Sequence, residues 1–549
     1  MKEWQYQNIF HRSNPERFYI RYFSRRFHLD HILMNYLYSQ GYKTLREIQD
    51  YLNPSMEQLH DPFMLRDMKR AIQRIIDAVR FQEKIVIFGD YDCDGQTSTA
   101  LLYRALASIG ANIDFQIPLR SEGYGLKRSA LEKIKPGEVS LIITVDNGTS
   151  AHDAMAKAKE MGIDVIVTDH HEILRGYPDC YAFINPKRED QDYPFRHLAG
   201  VGVALKVVQA LLITICKGDG WKRHLIGFLD FAAIGTVADM MPLVGENRTI
   251  VALGLKVLNQ QPKPIFKKIL KKLPDKYVTS STIGFGFGPL LNACGRIADP
   301  NVSTRYLCNG DLSTEELLEL IHINAQRKRM TEEQFELAEV IIQDHHLEEY
   351  NVVVIQGPFH EGIIGLLASR ISEKYLKPAI VLNENGKGSC RSVQGTDFSI
   401  IKAMELCNGY LEQFGGHQAA AGLTISSSKI DSFRRAIHLA AEHQERVIPK
   451  VYFQNKLPIY QFPDKLIEEF KRLEPFGIGN SKPHFYSESW FDRCRPLGKS
   501  SEHYLLSVAN RNIWAFRYKG VRLKPKKKVQ FLYTINSTDK HDFLLVDAR

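Results

Sequence analysis

Between Lys84 and Thr168 the chain alternates short, largely apolar runs with stretches of helical period. The runs 85–88, 113–117, 141–145 and 165–168 predict four strands, and 97–108 and 150–161 predict helices between them. Strands with no polar alternation are covered on both faces, so the pattern predicts a parallel sheet sandwiched by helices. Upstream, 29–38 and 64–80 predict short helices carrying basic and aromatic positions, read as a cap packed on the domain that follows. Downstream, 311–347 predicts one long, charged helix bridging two domains, opened by a capping box of Ser313 and Glu316. A second α/β unit follows, with strands at 352–355 and 379–382 around a helix at 363–375. From about Pro449 the period becomes that of strands, at 451–453, 504–508, 513–518, 529–535 and 543–546, which suits a small OB-fold β-barrel.

A chain of 549 residues is too long for one core, and the pattern divides it. The divisions are a helical cap (1–80), a parallel-sheet domain (81–310), a connecting helix (311–347), a second α/β domain (348–446) and the β domain (447–549). No apolar run approaches the roughly 20 residues of a membrane span, and the first residues lack a signal peptide's apolar stretch, so a cytoplasmic protein is expected. The eight cysteines are scattered with no C-x-x-C pair, which speaks against zinc or a disulfide framework. A net charge of +9 points only weakly to a polyanionic partner unless the basic groups gather at a site.

The candidate chemistry sits where the predicted strands end, which is where open α/β sheets bind ligands. Gly89-Asp90-Tyr91-Asp92-Cys93-Asp94-Gly95 crowds three carboxylates into five residues after the first strand. Such a cluster needs neutralising, and a divalent cation does it; a solvated turn or helix N-cap is the plainer reading. Asp146 follows the third strand, where Asp-Asn-Gly is also ordinary turn chemistry. Asp169-His170-His171 follows the fourth, and mixed carboxylate and imidazole suits manganese or another first-row ion. Asp239 ends an apolar stretch, as a ligand or as a helix cap. Asp344-His345-His346 repeats the letters of 169–171 but closes a charged helix, and reads as a solvated terminus. Acidic elements converging from four places can hold two ions that clamp a phosphoester or pyrophosphate.

These four turns occur in the order of the motifs of the DHH phosphoesterases, which the chain resembles. From about residue 80 onward the resemblance narrows to the RecJ exonucleases. It is carried by 117–120 with 122–126, by Gly288-Pro289-Leu290-Leu291-Asn292-Ala293-Cys294-Gly295-Arg296-Ile297, by Gly415-Gly416-His417 with Ala420-Ala421-Gly422, and by Leu473-Glu474-Pro475-Phe476-Gly477-Ile478-Gly479-Asn480. The resemblance implies a DHH domain, a DHH-associated domain and an OB-fold. It also implies 5′→3′ hydrolysis of single-stranded DNA to mononucleotides in repair and recombination, with two Mn²⁺ or Mg²⁺ ions. By motif position, Asp92, Asp94, Asp146, His170 and Asp239 are implied ligands with Asp146 bridging. Asp90 and Asp169 either ligate or support the ligands, and His171 faces the scissile phosphate. Asp94, Asp146 and His171 are the implied catalytic groups. Phe88 departs from the pattern, because some DHH enzymes carry a ligating histidine there.

Arg120, Arg296, Ser389 and Arg391 fall in the resembled segments and are candidates to hold the terminal phosphate, against a reading as surface ion pairs. His417 is a candidate nucleotide contact in its Gly-rich turn, and the passage between the two α/β domains is expected to exclude duplex. Trp514, Phe516 and Tyr518 share one strand face beside Arg517 and Lys519; they either stack on bases or pack in the barrel core. Lys524-Pro525-Lys526-Lys527-Lys528 is a basic loop. A small-substrate phosphodiesterase or pyrophosphatase is the alternative, and a non-cleaving DNA-binding scaffold a third reading. The expected partners are single-stranded DNA, a single-strand-binding protein and a RecQ-type helicase, with the chain a monomer and no membrane contact.

Overall fold

The four runs become strands of a five-stranded parallel sheet, in the order Ile113–Gln116, Ile85–Phe88, Leu141–Val145, Asp164–Thr168, Ala182–Ile184, with Ile113–Gln116 at one edge. The structure is a computed structural model that describes residues 3–7, 12–274, 277–442, 450–497, 503–516, 525, 528–537 and 542–549. The fifth strand, Ala182–Ile184, is three residues long and gave no periodic signal in the sequence. Every residue of Leu141–Val145 is buried, as a strand covered on both faces requires. From Ile85–Phe88 the chain steps first to one side of the sheet, then to the other. The point where the order reverses therefore lies between Ile85–Phe88 and Leu141–Val145, at whose carboxyl ends stand the turns bearing Asp90 and Asp146.

The described chain divides into two compact units. The larger comprises Trp4–Pro289, Pro300–Leu312 and Tyr452–Arg549. It contains the parallel sheet with its helices, the N-terminal helices and the C-terminal β domain. The helices Asn14–Phe27, His31–Ser39 and Leu45–Leu52 do not form a core of their own. Ile20, Phe23, Leu33, Met34 and Ile48 join one hydrophobic cluster with Ile459, Phe462, Phe470, Phe531 and Phe543 of the C-terminal domain. Arg248, on helix Gly245–Gln260 of the sheet domain, fastens the two together. Its guanidinium lies 3.5 Å from the centre of the Tyr51 ring and donates to the carbonyls of Tyr51, Leu473, Glu474 and Pro475.

The C-terminal sheet has seven strands, in the order Asn455–Lys456, Phe485–Trp490, Lys528–Ser537, Asp542–Ala548, Arg511–Ala515, His503–Val508, Arg493–Leu497. Among the described residues no ladder joins the first strand to the last. The OB-type domain is therefore an open sheet here, where about five strands closed into a barrel were expected. Lys450–Phe453, expected within it, pairs instead with Glu3–Tyr6.

The smaller unit comprises Met1–Glu3, Leu290–Asp299 and Ser313–Val451. Its five-stranded sheet runs Gln413–Gly416, Ala420–Thr424, Lys387–Arg391, Ala379–Leu382, Val353–Gln356. Helix Thr314–Asp344 opens with the expected capping box, Ser313 Oγ accepting from Glu316 N–H. Its carboxyl half packs Phe335, Ala338 and Ile342 into this unit's core.

Candidate metal centre

Asp90 follows strand Ile85–Phe88, and Asp92 caps helix Cys93–Ser108 by accepting from Gly95 N–H at 3.0 Å. The cap reading of this turn is thus correct for Asp92, without exhausting the cluster. Asp94 turns inward, and its two oxygens accept from the backbone N–H groups of Gly200 and Val201 at 2.7 and 2.8 Å. Those amides open helix Gly200–Ile215, whose positive end favours a carboxylate. Asp146 has a φ of 61°, a left-handed conformation that costs a non-glycine residue free energy. Close packing holds it there: a Cβ on Gly200 would lie 2.6 Å from Asp146 Oδ1, so only glycine fits opposite. Asn147 ties the strand ends together, its amide donating to the carbonyls of Phe88 and Val145.

The ligating atoms form three overlapping groups: Asp90 with Asp92 and Asp146; Asp94 with His170 and Asp239; and Asp146 with His170 and His171. Within each group the atoms lie within 4.8 Å of one another. His170 Nε2 stands 3.0 Å from Asp146 Oδ1, 3.7 Å from Asp239 Oδ2 and 3.9 Å from Asp94 Oδ2. Asp146 and His170 each belong to two groups, the arrangement expected of residues between two cation positions.

Electrostatics support the same conclusion. Burial, followed by the charge of neighbouring carboxylates, pushes Asp90, Asp146 and Asp239 well above the usual carboxylate range. Burial and Asp92 raise Asp94 to about 7. Burial and the His171 charge lower His170 to about 3, which leaves it the neutral imidazole a metal requires. Asp90 Oδ1 is buried with no hydrogen-bond partner among the described residues. Asp239 stands at the carboxyl end of helix Leu229–Ala238, where the dipole disfavours an anion, so the fold gives that charge no local reason to be there. Crowded buried carboxylates, an orphaned oxygen and a neutral histidine are a donor set that fits hard or borderline divalent cations.

Asp169 behaves differently. Its carboxylate accepts from Thr149 N–H, His170 N–H and His171 N–H and meets His171 Nδ1 at 2.7 Å, and it joins none of the three groups. Although burial opposes ionisation, the His171 charge and these bonds hold Asp169 below the usual range. Burial likewise opposes a charge on His171, but the Asp169 carboxylate outweighs it and raises His171 to about 9. Asp169 therefore orients the half-exposed His171 imidazole at the rim of the cluster and favours its protonated form.

Sequence reasoning gave Tyr124 no role. Its hydroxyl donates to Asp146 O at 2.8 Å and lies 3.1 Å from His171 Nδ1. Asn185, which follows the overlooked strand, donates to Thr149 Oγ1 and His171 O. Applying the strand-end rule to three-residue apolar runs would have found it. Arg120 is held over the Tyr91 ring, 4.1 Å from its centre. Phe88 is buried in the apolar cluster beneath the sheet. Asp344, His345 and His346 are exposed at a helix end, and no metal-capable group among the described residues includes them.

In the smaller unit, Ser389 and Arg391 share one face of strand Lys387–Arg391, with Arg391 Nη1 donating to Ser389 Oγ at 3.1 Å. Both face Gly365 in the first turn of helix Ile364–Tyr375; a Cβ there would lie 3.2 Å from Ser389 Oγ and 3.3 Å from Arg391 Nη2. Arg296 reaches the same turn, donating to Gly362 O at 3.0 Å. Two guanidinium groups and a hydroxyl at a helix N-terminus make an anion-binding set. His417 is exposed beyond Ala420, which pairs with Arg391 in the sheet. In the C-terminal domain Trp514 is half-buried and Phe516 exposed, with rings stacked at 5.9 Å, while Ile513 and Ala515 face the core. That pair does not fill the core. Tyr518, Arg517, Lys519 and the lysines 524, 526 and 527 lie outside the described residues.

Comparison with known proteins adds three domain matches: DHH family, N-terminal domain, over 84–236; DHHA1 domain over 349–442; and RecJ OB domain over 454–541. The single-stranded-DNA-specific exonuclease RecJ of Bacillus subtilis is 34% identical over 512 residues, covering 91% of this chain. The chain spans 64% of that relative's length. The Salmonella typhimurium protein of the same name is 35% identical over 430 residues, 73% of each chain. The crystal structure of RecJ in complex with Mn²⁺ from Thermus thermophilus matches with a TM-score of 0.82 at 25% identity, covering 100% of this chain and 79% of that one. A crystal structure of exonuclease RecJ bound to manganese matches at 28% identity with a TM-score of 0.59, over 69% of this chain and 96% of that one.

Proposed function

Because this chain belongs to the RecJ family of DHH phosphoesterases, we propose that it is a single-stranded-DNA-specific exonuclease that removes 5′-mononucleotides in the 5′→3′ direction during repair and recombination. The observation that carries this reading is the convergence of Asp90, Asp92, Asp94, Asp146, His170 and Asp239 at the switch point of the sheet. Asp90, Asp92 and Asp146 would hold one Mn²⁺ or Mg²⁺, and Asp94, His170 and Asp239, with Asp146 between, the other. Bound there, the ions supply Lewis acidity and activation of water for in-line attack at phosphorus.

The chain's own groups do the rest. Asp169 fixes the His171 imidazolium, which faces the scissile phosphate and offsets the charge that develops on it. Tyr124 braces the Asp146 backbone against that imidazole. Arg296, Ser389 and Arg391 bind a phosphate at the start of helix Ile364–Tyr375, Arg120 contributes a further cation beside Asp90, and His417 contacts the nucleotide. Trp514 and Phe516 offer stacking faces to a longer strand. The same reading expects a cytoplasmic monomer that works beside a single-strand-binding protein and a RecQ-type helicase.

The test is digestion of 5′-labelled and 3′-labelled single strands, duplex and pyrophosphate, with Mn²⁺ and with chelator. The expected result is mononucleotide release from the 5′ end of single strands only, abolished by chelator. Hydrolysis of pyrophosphate without strand degradation would replace the reading with that of a small-substrate enzyme.

A further inference from the structure

The segment Ile283–Phe287 is a π-helical turn, a form that is rare and often marks functional sites. Ile283 and Phe287 are fully buried, and Phe287 packs edge-on against Phe266. Ser280, just upstream, donates to the Phe476 carbonyl. The turn is therefore anchored on both sides of its middle residue. That residue, Phe285, is 87% exposed, more than any other large hydrophobic side chain among the described residues. Gly284 and Gly286 flank it, so no neighbouring side chain shields either face of the ring.

Its location makes this exposure informative. The turn runs along the end of helix Leu229–Ala238: a Cβ on Gly284 would lie 3.9 Å from Val237 Cγ1, and one on Gly288 would lie 3.4 Å from Ala238 Cβ. The next residue is Asp239, in the metal-capable cluster. Met240 follows, with a φ of 59° and 62% exposure. The apolar turn thus packs against the last residues of the helix that leads into Asp239, and the turn itself carries no charged residue. Such a surface recognises neither a phosphate nor an acidic peptide. It does match the π-face of a nucleobase, which every nucleotide presents whatever its sequence.

We propose that Phe285 is a base-stacking platform that receives the nucleobase adjoining the phosphate held at the cluster. The proposal rests on the exonuclease reading for its substrate. The ring sets where along the strand the cluster engages, while the carboxylates act on the backbone. Because stacking is indifferent to base identity, the platform aids register without imposing sequence preference.

The test scans an abasic residue along an oligodeoxynucleotide whose linkages are non-hydrolysable and measures its affinity for the full chain in Mn²⁺, where the cluster is filled and no cleavage occurs. Wild type is expected to lose roughly tenfold in affinity at one position near the 5′ end. Phe285→Ala should bind the intact strand with that same deficit and ignore the abasic position. Phe285→Trp should keep the wild-type pattern and show fluorescence quenching that the abasic residue relieves. Wild type with no abasic-sensitive position, or Phe285→Ala with the wild-type profile, overturns the proposal. Because this readout is binding, failure of the protein to cut single strands in Mn²⁺ would count against the exonuclease reading alone. A strand that binds with the predicted profile but is not cut upholds the platform.

Discussion

Asp146 concentrates the cost of the site in one residue: a left-handed backbone, a buried carboxylate and a position shared by two groups of ligating atoms. Asp146→Ala is expected to lower kcat by roughly 10⁴-fold, the scale of removing an essential catalytic group, while filter binding of a single strand stays near wild type. Equal loss of binding would make the residue structural. Asp90 carries the complementary expectation. Asp90 is buried among other carboxylates, so Asp90→Asn should raise the melting temperature of the metal-free protein while removing one ion's share of the stabilisation that Mn²⁺ gives wild type, about 2.7 kcal/mol per site at a hundred times Kd. A calorimetric scan with and without Mn²⁺ reads both effects. Asp169 acts through His171, so Asp169→Asn should cost roughly 10- to 100-fold in kcat with little change in the number of Mn²⁺ ions bound. The resemblance set His171 apart from His170 but left Asp169 either a ligand or a support for the ligands. What separated their roles was hydrogen bonding to Thr149 and to the residues' own backbone, which no local pattern displays.

At the scale of elements, the sequence was most legible where burial is uniform. Three apolar runs became central strands of the parallel sheet because a strand covered on both faces tolerates almost no polar position, while 113–117, with Asp114 and Gln116, became an edge strand. Ala182–Ile184 escaped because three residues carry no periodicity, and with it went Asn185. The C-terminal domain was harder to read. Phe485–Trp490 and Arg493–Leu497 mix charged, aromatic and small residues because much of each strand is exposed. The alternation at 513–516 was visible, but which face was inner was not, since Ile513 and Ala515 fill a core just as Trp514 and Phe516 could. With the aromatic pair facing outward, Trp514→Ala and Phe516→Ala should each weaken binding of long strands by about 1–3 kcal/mol and leave turnover of short ones unchanged. Fluorescence anisotropy against oligonucleotide length would show whether that difference exists.

For the whole molecule, the shared core changes how the chain can be cut. A cap at 1–80 and a separate β domain at 447–549 suggest that the latter is removable. Yet Ile20, Leu33 and Ile48 bury against Ile459, Phe470 and Phe531, and Arg248 ties that assembly to the sheet domain. Long-range pairing of the first and last hundred residues has no signature in either segment alone. Deleting 452–549 should therefore expose the helices' apolar face and yield aggregated protein. Arg248→Ala, which leaves several carbonyls unpaired, should destabilise the larger unit by more than about 3 kcal/mol. Hydrogen exchange should then show the N-terminal helices and the C-terminal sheet losing protection together; loss in only one would mean that they fold independently.

Catalysis at this site requires cations to fill the space that the carboxylates and His170 surround. Anomalous diffraction from crystals loaded with Mn²⁺ tests this directly. The predicted map has two peaks per chain about 3.5–4 Å apart, one against Asp90, Asp92 and Asp146, the other against Asp94, His170 and Asp239. A map with no peak inside the cluster, at metal concentrations that support activity, would contradict it.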